Sequence, residues 1–174
     1  MPNKVININI IIDTTQIMSD FNGKEVSKDA LNPTPIGHQY QFMVISDGGS
    51  NVQGEGTGDL SFSATQGDVV RFYATSEFNN FDQPVILYDM FKYGGDNVFN
   101  NPSFNLQSFG AHSTLAPITF NPLLIKTIDQ DFWFAQNTVN NKGTENYGLK
   151  FAVYNTDLSI FGYFQWDPTI TVQQ

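Results

Sequence analysis

The sequence predicts an all-β fold: an antiparallel β-sandwich of jelly-roll-like or immunoglobulin-like type, with at most short helical turns. In several segments apolar residues recur at every second position, which is the period of a strand with one buried face. Clusters of Gly, Asn, Asp and Ser separate these segments at short intervals, as they do in sandwiches. Aromatic residues make up 14% of the 174 residues. A single domain over 1–174 can therefore bury a sizeable core.

The alternating segments are the predicted half-buried strands. The clearest are Ile6, Ile8, Ile10 and Ile12, followed by residues 60–64 and 147–153. Four runs are apolar on both faces and are expected to be inner or covered strands: residues 41–45, 69–74, 85–91 and 132–135. Four phenylalanines in strand-like runs are predicted to face the core: Phe62, Phe72, Phe151 and Phe164.

Helical signal is weak in this sequence. Residues 14–21 are expected to hold one or two helical turns, with Thr14 or Thr15 as the N-cap. The segment 32–35 must be extended, because each of its two prolines restricts the residue before it. Residues 94–116 are rich in Asn, Ser and Gly and are predicted to form a long loop or irregular arm.

The charge of the chain excludes several classes of partner. Eight Lys and Arg stand against 17 Asp and Glu, for a net charge of −9, and Arg71 is the single arginine. Because phosphates are neutralised by clustered Lys and Arg, we expect no nucleic-acid partner. An anionic membrane surface would repel the chain for the same reason, so no membrane partner is expected.

Cysteine content and apolar patterning bear on chemistry and location. The sequence contains no Cys, which excludes disulfides, thiolate catalysis and cysteine-ligated zinc. The first residues lead directly into an alternating strand and lack the apolar region of a signal peptide. No apolar stretch approaches the length of a membrane span. We therefore expect a cytoplasmic protein.

No motif predicts a catalytic, cofactor-binding or metal-binding residue. The glycine-rich segment 54–58 precedes a strand pattern and lacks the Lys-Ser/Thr of a phosphate loop, so it is interpreted as a turn. His38 and His112 lie in polar, loop-like segments, and no Gly-x-Ser-x-Gly elbow is present. Four aspartates flank glycines, where turn chemistry explains them without calcium: Asp47, Asp59, Asp68 and Asp96. We expect no cofactor.

Two further features have alternative interpretations. Trp133 and Trp166, together with Asn-rich loops, suit a platform for a neutral carbohydrate, although both lie in strand-like runs where packing is the simpler explanation. Arg71 lies in an apolar run and is expected to be partly buried. Because an unpaired buried charge is costly, a carboxylate such as Asp13 or Glu145 is expected to hold it.

Read in order, segments along nearly the whole chain resemble the bacterial inclusion-body protein family of PixA and AidA. No single segment is diagnostic, and their order carries the resemblance. The segments are Asp13-Thr14 with Ile17, Asn32-Pro33-Thr34-Pro35, residues 56–62, residues 67–72, Val85-Ile86 with Tyr88, residues 143–145 with Tyr147, Phe151-Ala152 with Tyr154, residues 162–164, and residues 166–170.

The resemblance implies a bacterial β-sandwich protein with no catalytic residue set. Members of the family are associated with cytoplasmic crystalline inclusions, or with quorum-sensing and stationary-phase regulation in host-associated bacteria. The inclusion-forming namesake is methionine-rich, whereas this chain has four Met, which argues against the storage role and leaves the AidA-like regulatory or stress-linked role open. We expect a non-enzymatic protein that associates with itself as a homodimer or larger assembly. A lectin-like carbohydrate-binding module is the main alternative, and a hydrolase with an unrecognised site is a third.

Overall fold

The computed structural model describes residues 3–47, 49 and 51–173, with the backbone alone described for residues 107–112. This part of the chain forms eleven strands, one α-helix and one 3-10 helix. In chain order they are β1 (Val5–Ile12), α1 (Thr14–Asp20), β2 (Thr34–Pro35), the 3-10 helix (His38–Tyr40), β3 (Gln41–Ser46), β4 (Leu60–Ser63), β5 (Val69–Ser76), β6 (Val85–Gly95), β7 (Asn105–Phe120), β8 (Leu123–Thr138), β9 (Gly143–Tyr154), β10 (Ile160–Trp166) and β11 (Thr169–Gln173).

The strands build two sheets that pack against each other, which confirms the predicted all-β sandwich. The first sheet has the order β3-β1-β5-β8-β7. In the second sheet β9 is central, with β6 on one edge and both β10 and β11 on the other. Strand β2 lies beside β10, and β4 lies beside β11.

Both sheets are mixed rather than purely antiparallel. Strands β1 and β5, β2 and β10, and β4 and β11 run parallel. Parallel neighbours need a long crossover, and each of these pairs is separated by several intervening elements. The alternation of side chains is the same in either orientation, so the sequence pattern could not distinguish them.

The core lies between the sheets and is made by the predicted periodic positions. Ile6, Ile8 and Ile10 are completely buried, while the intervening asparagines of β1 face outward. The four phenylalanines predicted to be internal are 0–1% exposed, which confirms their placement. Removing a buried aromatic side chain of this kind costs roughly 3–5 kcal/mol, so these residues dominate the stability of the sandwich.

Helix α1 occupies the predicted segment, but its cap differs from the prediction. The N-cap is Asp13, whose side chain accepts a hydrogen bond from the Gln16 N–H at 2.8 Å. Thr14 and Thr15 instead donate their backbone N–H groups to the Glu77 carboxylate, each at 2.8 Å. Because Glu77 is distant in sequence, a local capping rule could not identify this partner.

The predicted long loop over residues 94–116 is wrong for its second half. Strand β6 extends to Gly95, and β7 begins at Asn105, so the connection covers only 96–104. Strand β7 pairs with β8 along its length, although its outer residues 113–120 are exposed or only partly covered and face no core. Without a buried face, the strand has no reason to alternate apolar and polar residues.

The glycine-rich segment 54–58 is a turn leading into β4. Gly54 and Gly56 have positive φ angles of 77° and 76°. A Cβ on residue 54 would lie 2.3 Å from the Asp59 carbonyl oxygen, so the close approach requires glycine. In the described part of the chain, no helix has both the length and the apolar character needed to cross a membrane.

Candidate functional site

The distal part of the β7–β8 hairpin, residues 113–131, forms an arm that projects from the sandwich. Strand β8 pairs with β5 only through residues 135–138, and beyond that point the hairpin continues as a two-stranded ribbon. The ribbon ends in a two-residue turn with a cis Asn121–Pro122 peptide bond. Every residue from 117 to 133 is exposed. At about 3.3 Å per residue, the tip of the arm lies roughly 35 Å from Phe134.

The arm is apolar on both faces. Residues directly opposite each other in an antiparallel pair share a face. The register therefore places Leu115, Pro117, Phe120, Leu123 and Ile125 on one face and Leu124 and Ile128 on the other. Phe120 is 82% exposed, and Leu115 and Leu123 are each 65% exposed. The ribbon buries neither face against its own sandwich, and a two-stranded ribbon alone is only marginally stable in water.

The outer part of the arm carries no charge. Residues 113–125 contain no Asp, Glu, Lys or Arg, in a chain whose net charge is −9. The first charged residues toward the base of β8 are Lys126 and Asp129, and Asp129 accepts a hydrogen bond from the Ser113 hydroxyl at 3.0 Å. The tip is thus an uncharged apolar surface on an acidic protein.

A groove lies at the base of the arm, where β5 and β8 diverge. The two strands pair from Val69 to Phe72, and from Tyr73 onward β5 has no strand partner on that side within the described residues. The gap has a volume of about 870 Å³. Its walls come from β5, from residues 85–87 of β6 and from residues 130–134 of β8.

The groove combines apolar walls with amide groups. Ile86, Phe132 and Trp133 line it and are each 44–46% exposed. The indole N–H of Trp133 donates to the Leu87 carbonyl oxygen at 2.8 Å, which holds the base of the arm against β6. Asn7 and Asn9 reach the groove from the outward face of β1. Such a surface suits apolar groups accompanied by neutral hydrogen-bonding groups.

Arg71 also lines the groove and is partly buried, as predicted, but the two carboxylates named as its partners are not beside it. Its Nε donates to the Gln136 side-chain oxygen at 2.7 Å, and its guanidinium lies 5.0 Å from the centroid of the Phe134 ring. That distance is within the range of a cation–π contact. The two predicted partners are engaged elsewhere: Asp13 caps α1, and Glu145 pairs with Lys92 Nζ at 3.1 Å.

The histidines form no catalytic arrangement in the described residues. His38 Nδ1 lies 3.1 Å from an Asp59 carboxylate oxygen, and its Nε2 lies 3.2 Å from an Asp167 carboxylate oxygen. Each ring nitrogen is therefore within hydrogen-bond distance of a carboxylate. Asp59 also accepts a hydrogen bond from the Thr169 N–H at 2.7 Å. His38, Asp59 and Asp167 therefore connect neighbouring turns of the chain. The carboxylates stand on opposite sides of the ring, and no metal-binding group is found among the described residues. The His112 side chain lies outside them.

The two tryptophans do not form a joint platform. Trp166 is 1% exposed and donates its indole N–H to the Gly58 carbonyl oxygen at 3.2 Å. Trp133 alone presents its ring to the groove. Core packing therefore accounts for Trp166.

The fold and the arm together define a β-sandwich protein with a projecting arm that is rich in exposed apolar side chains. The chain belongs to the PixA family, described as inclusion body protein, whose sequence pattern matches residues 4–172. It also resembles the crystal structure of an inclusion body protein of this family from Burkholderia cenocepacia J2315. The TM-score is 0.83 at 24% identity, covering 99% of this chain and 98% of that chain, which shows a shared fold. Comparison with curated proteins gives no match.

Proposed function

We propose that this PixA-family chain is a non-enzymatic protein that associates with itself through the arm. The observation that carries the proposal is the exposed ribbon, which has apolar side chains on both faces and an uncharged tip over residues 113–125. Contiguous apolar surfaces of this extent on soluble proteins mark sites of interaction. A second copy is the partner that the family description supports, because inclusions consist of many copies of one chain.

The size of the apolar surface is sufficient for a stable dimer. Seven large apolar side chains of the arm are 38–82% exposed: Leu115, Ile118, Phe120, Leu123, Leu124, Ile125 and Ile128. At about 100 Å² each, they offer about 700 Å² per copy, close to the roughly 800 Å² per partner of a standard interface. The arm therefore offers enough apolar surface for one side of a standard dimer interface.

Growth beyond a dimer needs a second kind of contact. A twofold dimer is closed, so a lattice requires another surface on the sandwich. The net charge of −9 opposes such contacts at neutral pH. We accordingly place the protein in the cytoplasm as a small oligomer that condenses under particular conditions, in an AidA-like quorum-sensing or stationary-phase role. The resemblance of the sequence segments and the low Met content support that role.

Electron microscopy of cells that overproduce the protein tests the proposal. The wild type should form inclusions with lattice order. The double variant Phe120→Ser with Leu123→Ser should remain dispersed, because the arm no longer offers its apolar tip. The matched control is Leu31→Ser with Phe81→Ser, whose native side chains are 82% and 95% exposed outside the arm. Ordered inclusions that are equally abundant in both variants would contradict the role of the arm.

A carbohydrate-binding function is a second candidate, favoured by one observation. The half-exposed ring of Trp133 lies in the same groove as Asn7 and Asn9, and an aromatic face beside amides suits a sugar. Glycan-array binding that is lost in Trp133→Ala and retained in Trp133→Phe would support this candidate. An array without any bound glycan would count against it.

A further inference from the structure

We infer that the groove between β5 and β8 receives the arm of a second copy of this chain. This inference rests on the proposed function and adds the acceptor surface to it. The arm supplies an apolar ribbon that needs cover, and the groove is a cleft with exposed apolar walls on the same molecule.

The backbone of the groove suits a strand as its occupant. From Tyr73 onward β5 has no strand partner on the groove side among the described residues. An open edge of this kind accepts an added strand through main-chain hydrogen bonds. The arm consists of two strands whose outer edges pair with no other described strand over residues 113–131. The groove and the arm therefore each present a strand edge whose backbone groups are available for pairing.

The side chains of the groove match those of the arm. Ile86, Phe132 and Trp133 present half-exposed apolar surfaces to the gap. Phe120 and Leu123 at the arm tip are more than half exposed. A flat surface would cover one face of the arm, whereas a groove with opposite walls contacts both apolar faces.

Charge favours the same pairing. The arm tip over residues 113–125 is uncharged. The charged side chains lining the groove are Arg71 and Asp131, which are of opposite sign. Elsewhere the chain is acidic, so most other surface pairings of two copies bring like charges together. An uncharged tip entering a groove of balanced charge avoids that repulsion.

The occupant must come from another molecule. Residues 130–134 at the base of the arm form one wall of the groove, and the tip lies roughly 35 Å further along an extended ribbon. The arm cannot fold back into its own groove without breaking its hairpin. If two copies exchange arms about a twofold axis, each contact occurs twice, which is the self-complementary arrangement of a closed dimer.

Cross-linking between single-cysteine variants tests the inference cleanly, because the chain has no Cys. Three separate variants each place one thiol on the arm: Thr119→Cys, Thr114→Cys and Thr127→Cys. A fourth variant, Thr75→Cys, places a thiol in the groove. The groove variant carries an affinity tag, so that the three possible dimers differ in mass. Gln66→Cys, about 20 Å away in the turn before the opposite end of β5, is the matched control for the groove position. Each pair is mixed and treated with a short bismaleimide.

The expected result is a mixed dimer of an arm variant with Thr75→Cys, and none with Gln66→Cys. Mixed dimers with the control at equal yield would overturn the inference. Arm-to-arm dimers as the sole product would also overturn it, while leaving self-association through the arm intact. Failure to cross-link together with a monomeric mass at high concentration would overturn both proposals.

Tryptophan fluorescence provides a second measurement on the unmodified chain. Trp133 lines the groove and Trp166 is buried, so quenching by iodide reports mainly on Trp133. We expect quenching to fall as the wild type is concentrated, and to stay constant in the variant Phe120→Ser with Leu123→Ser. Quenching that does not change while the wild type dimerises would show that the groove remains open and would overturn the inference.

Discussion

Asp68 shows how this fold uses a buried charge at a strand end. It is 1% exposed and accepts hydrogen bonds from the Lys4 N–H at 3.0 Å, and from the Thr65 N–H at 2.8 Å and its hydroxyl at 3.0 Å. Burial by itself would raise the pKa of Asp68. The hydrogen bonds from Lys4 and Thr65, with the nearby Lys4 charge, outweigh burial and lower the pKa below its usual value. The carboxylate thus fastens the start of β1 to the turn before β5.

Replacing Asp68 by Asn should destabilise the protein most at neutral pH, and by less as the pH falls below 3.8. Because the folded-state pKa is lowered, the carboxylate contributes stability above its usual pKa of 3.8, and that contribution is lost as the pH falls through the folded-state value. We expect a loss of about 1–3 kcal/mol at pH 7, as for a buried hydrogen-bonded charge. Urea denaturation at neutral pH and near pH 3 measures it.

Glu25→Gln is the matched control for Asp68→Asn, because Glu25 is an exposed carboxylate in a surface segment. It should leave the free energy of unfolding nearly unchanged at both pH values. A difference in the free energy of unfolding between wild type and Asp68→Asn that is as large near pH 3 as at pH 7, or larger, would contradict this role of the charge.

At the residue scale, core positions that recur with the strand period can be predicted from the sequence, whereas hydrogen-bond partners that are distant in sequence cannot. The isoleucines of β1 and the four core phenylalanines follow directly from alternation, because a half-buried strand must repeat every two residues. The partners of Arg71 and of Thr14 could not be predicted in this way. Gln136 and Glu77 lie 65 and 63 residues away, and strand order alone brings them near.

At the scale of elements, the arm behaves differently from the strands of the body. The body strands bury one face, so their sequences alternate and are recognisable. The arm over residues 113–131 buries no face in the single chain, so its apolar residues fall on both sides. A signal was present nonetheless: residues 113–125 contain Leu115, Ile118, Phe120 and three consecutive apolar residues, without one charge. Because these residues are exposed, the core does not account for that composition, whereas the proposed contact with a second copy does.

Excising the arm should leave the sandwich folded. Ser113 and Asp129 are cross-strand neighbours, so residues 114–128 can be replaced by Asn-Gly, which forms a two-residue hairpin turn. Because the excised residues are largely exposed, we expect the free energy of unfolding of the monomer to change by less than about 1 kcal/mol. Chemical denaturation of dilute protein, followed by far-ultraviolet circular dichroism, measures this change. An excised chain that fails to fold would show that the arm is part of the core structure.

At the scale of the whole molecule, the uncharged arm tip and the acidic body should respond differently to solution conditions. Charges on the body are screened within about 8 Å at physiological salt, whereas the apolar arm contact has little charge to screen. Between about 50 mM and 500 mM salt at pH 7, the dimer should therefore persist without large change. As the pH falls toward the sequence pI near 4.3, repulsion between bodies is lost and larger assemblies should form reversibly.

Light scattering across that pH range measures the formation of larger assemblies. The arm-excised chain should lack the dimer at pH 7 and should associate less at pH 5. A dimer that dissociates as salt is raised would indicate an ionic contact and would contradict an apolar arm interface.

Sedimentation equilibrium at neutral pH tests the central claim most directly. From about 1 μM to about 1 mM, the wild type should approach twice the chain mass of 19.5 kDa. The variant Phe120→Ser with Leu123→Ser should stay at 19.5 kDa over concentrations where the wild type and the control Leu31→Ser with Phe81→Ser are dimeric. A wild type that remains at the chain mass at the highest concentration, or an arm variant that dimerises as well as the control, would contradict self-association through the arm.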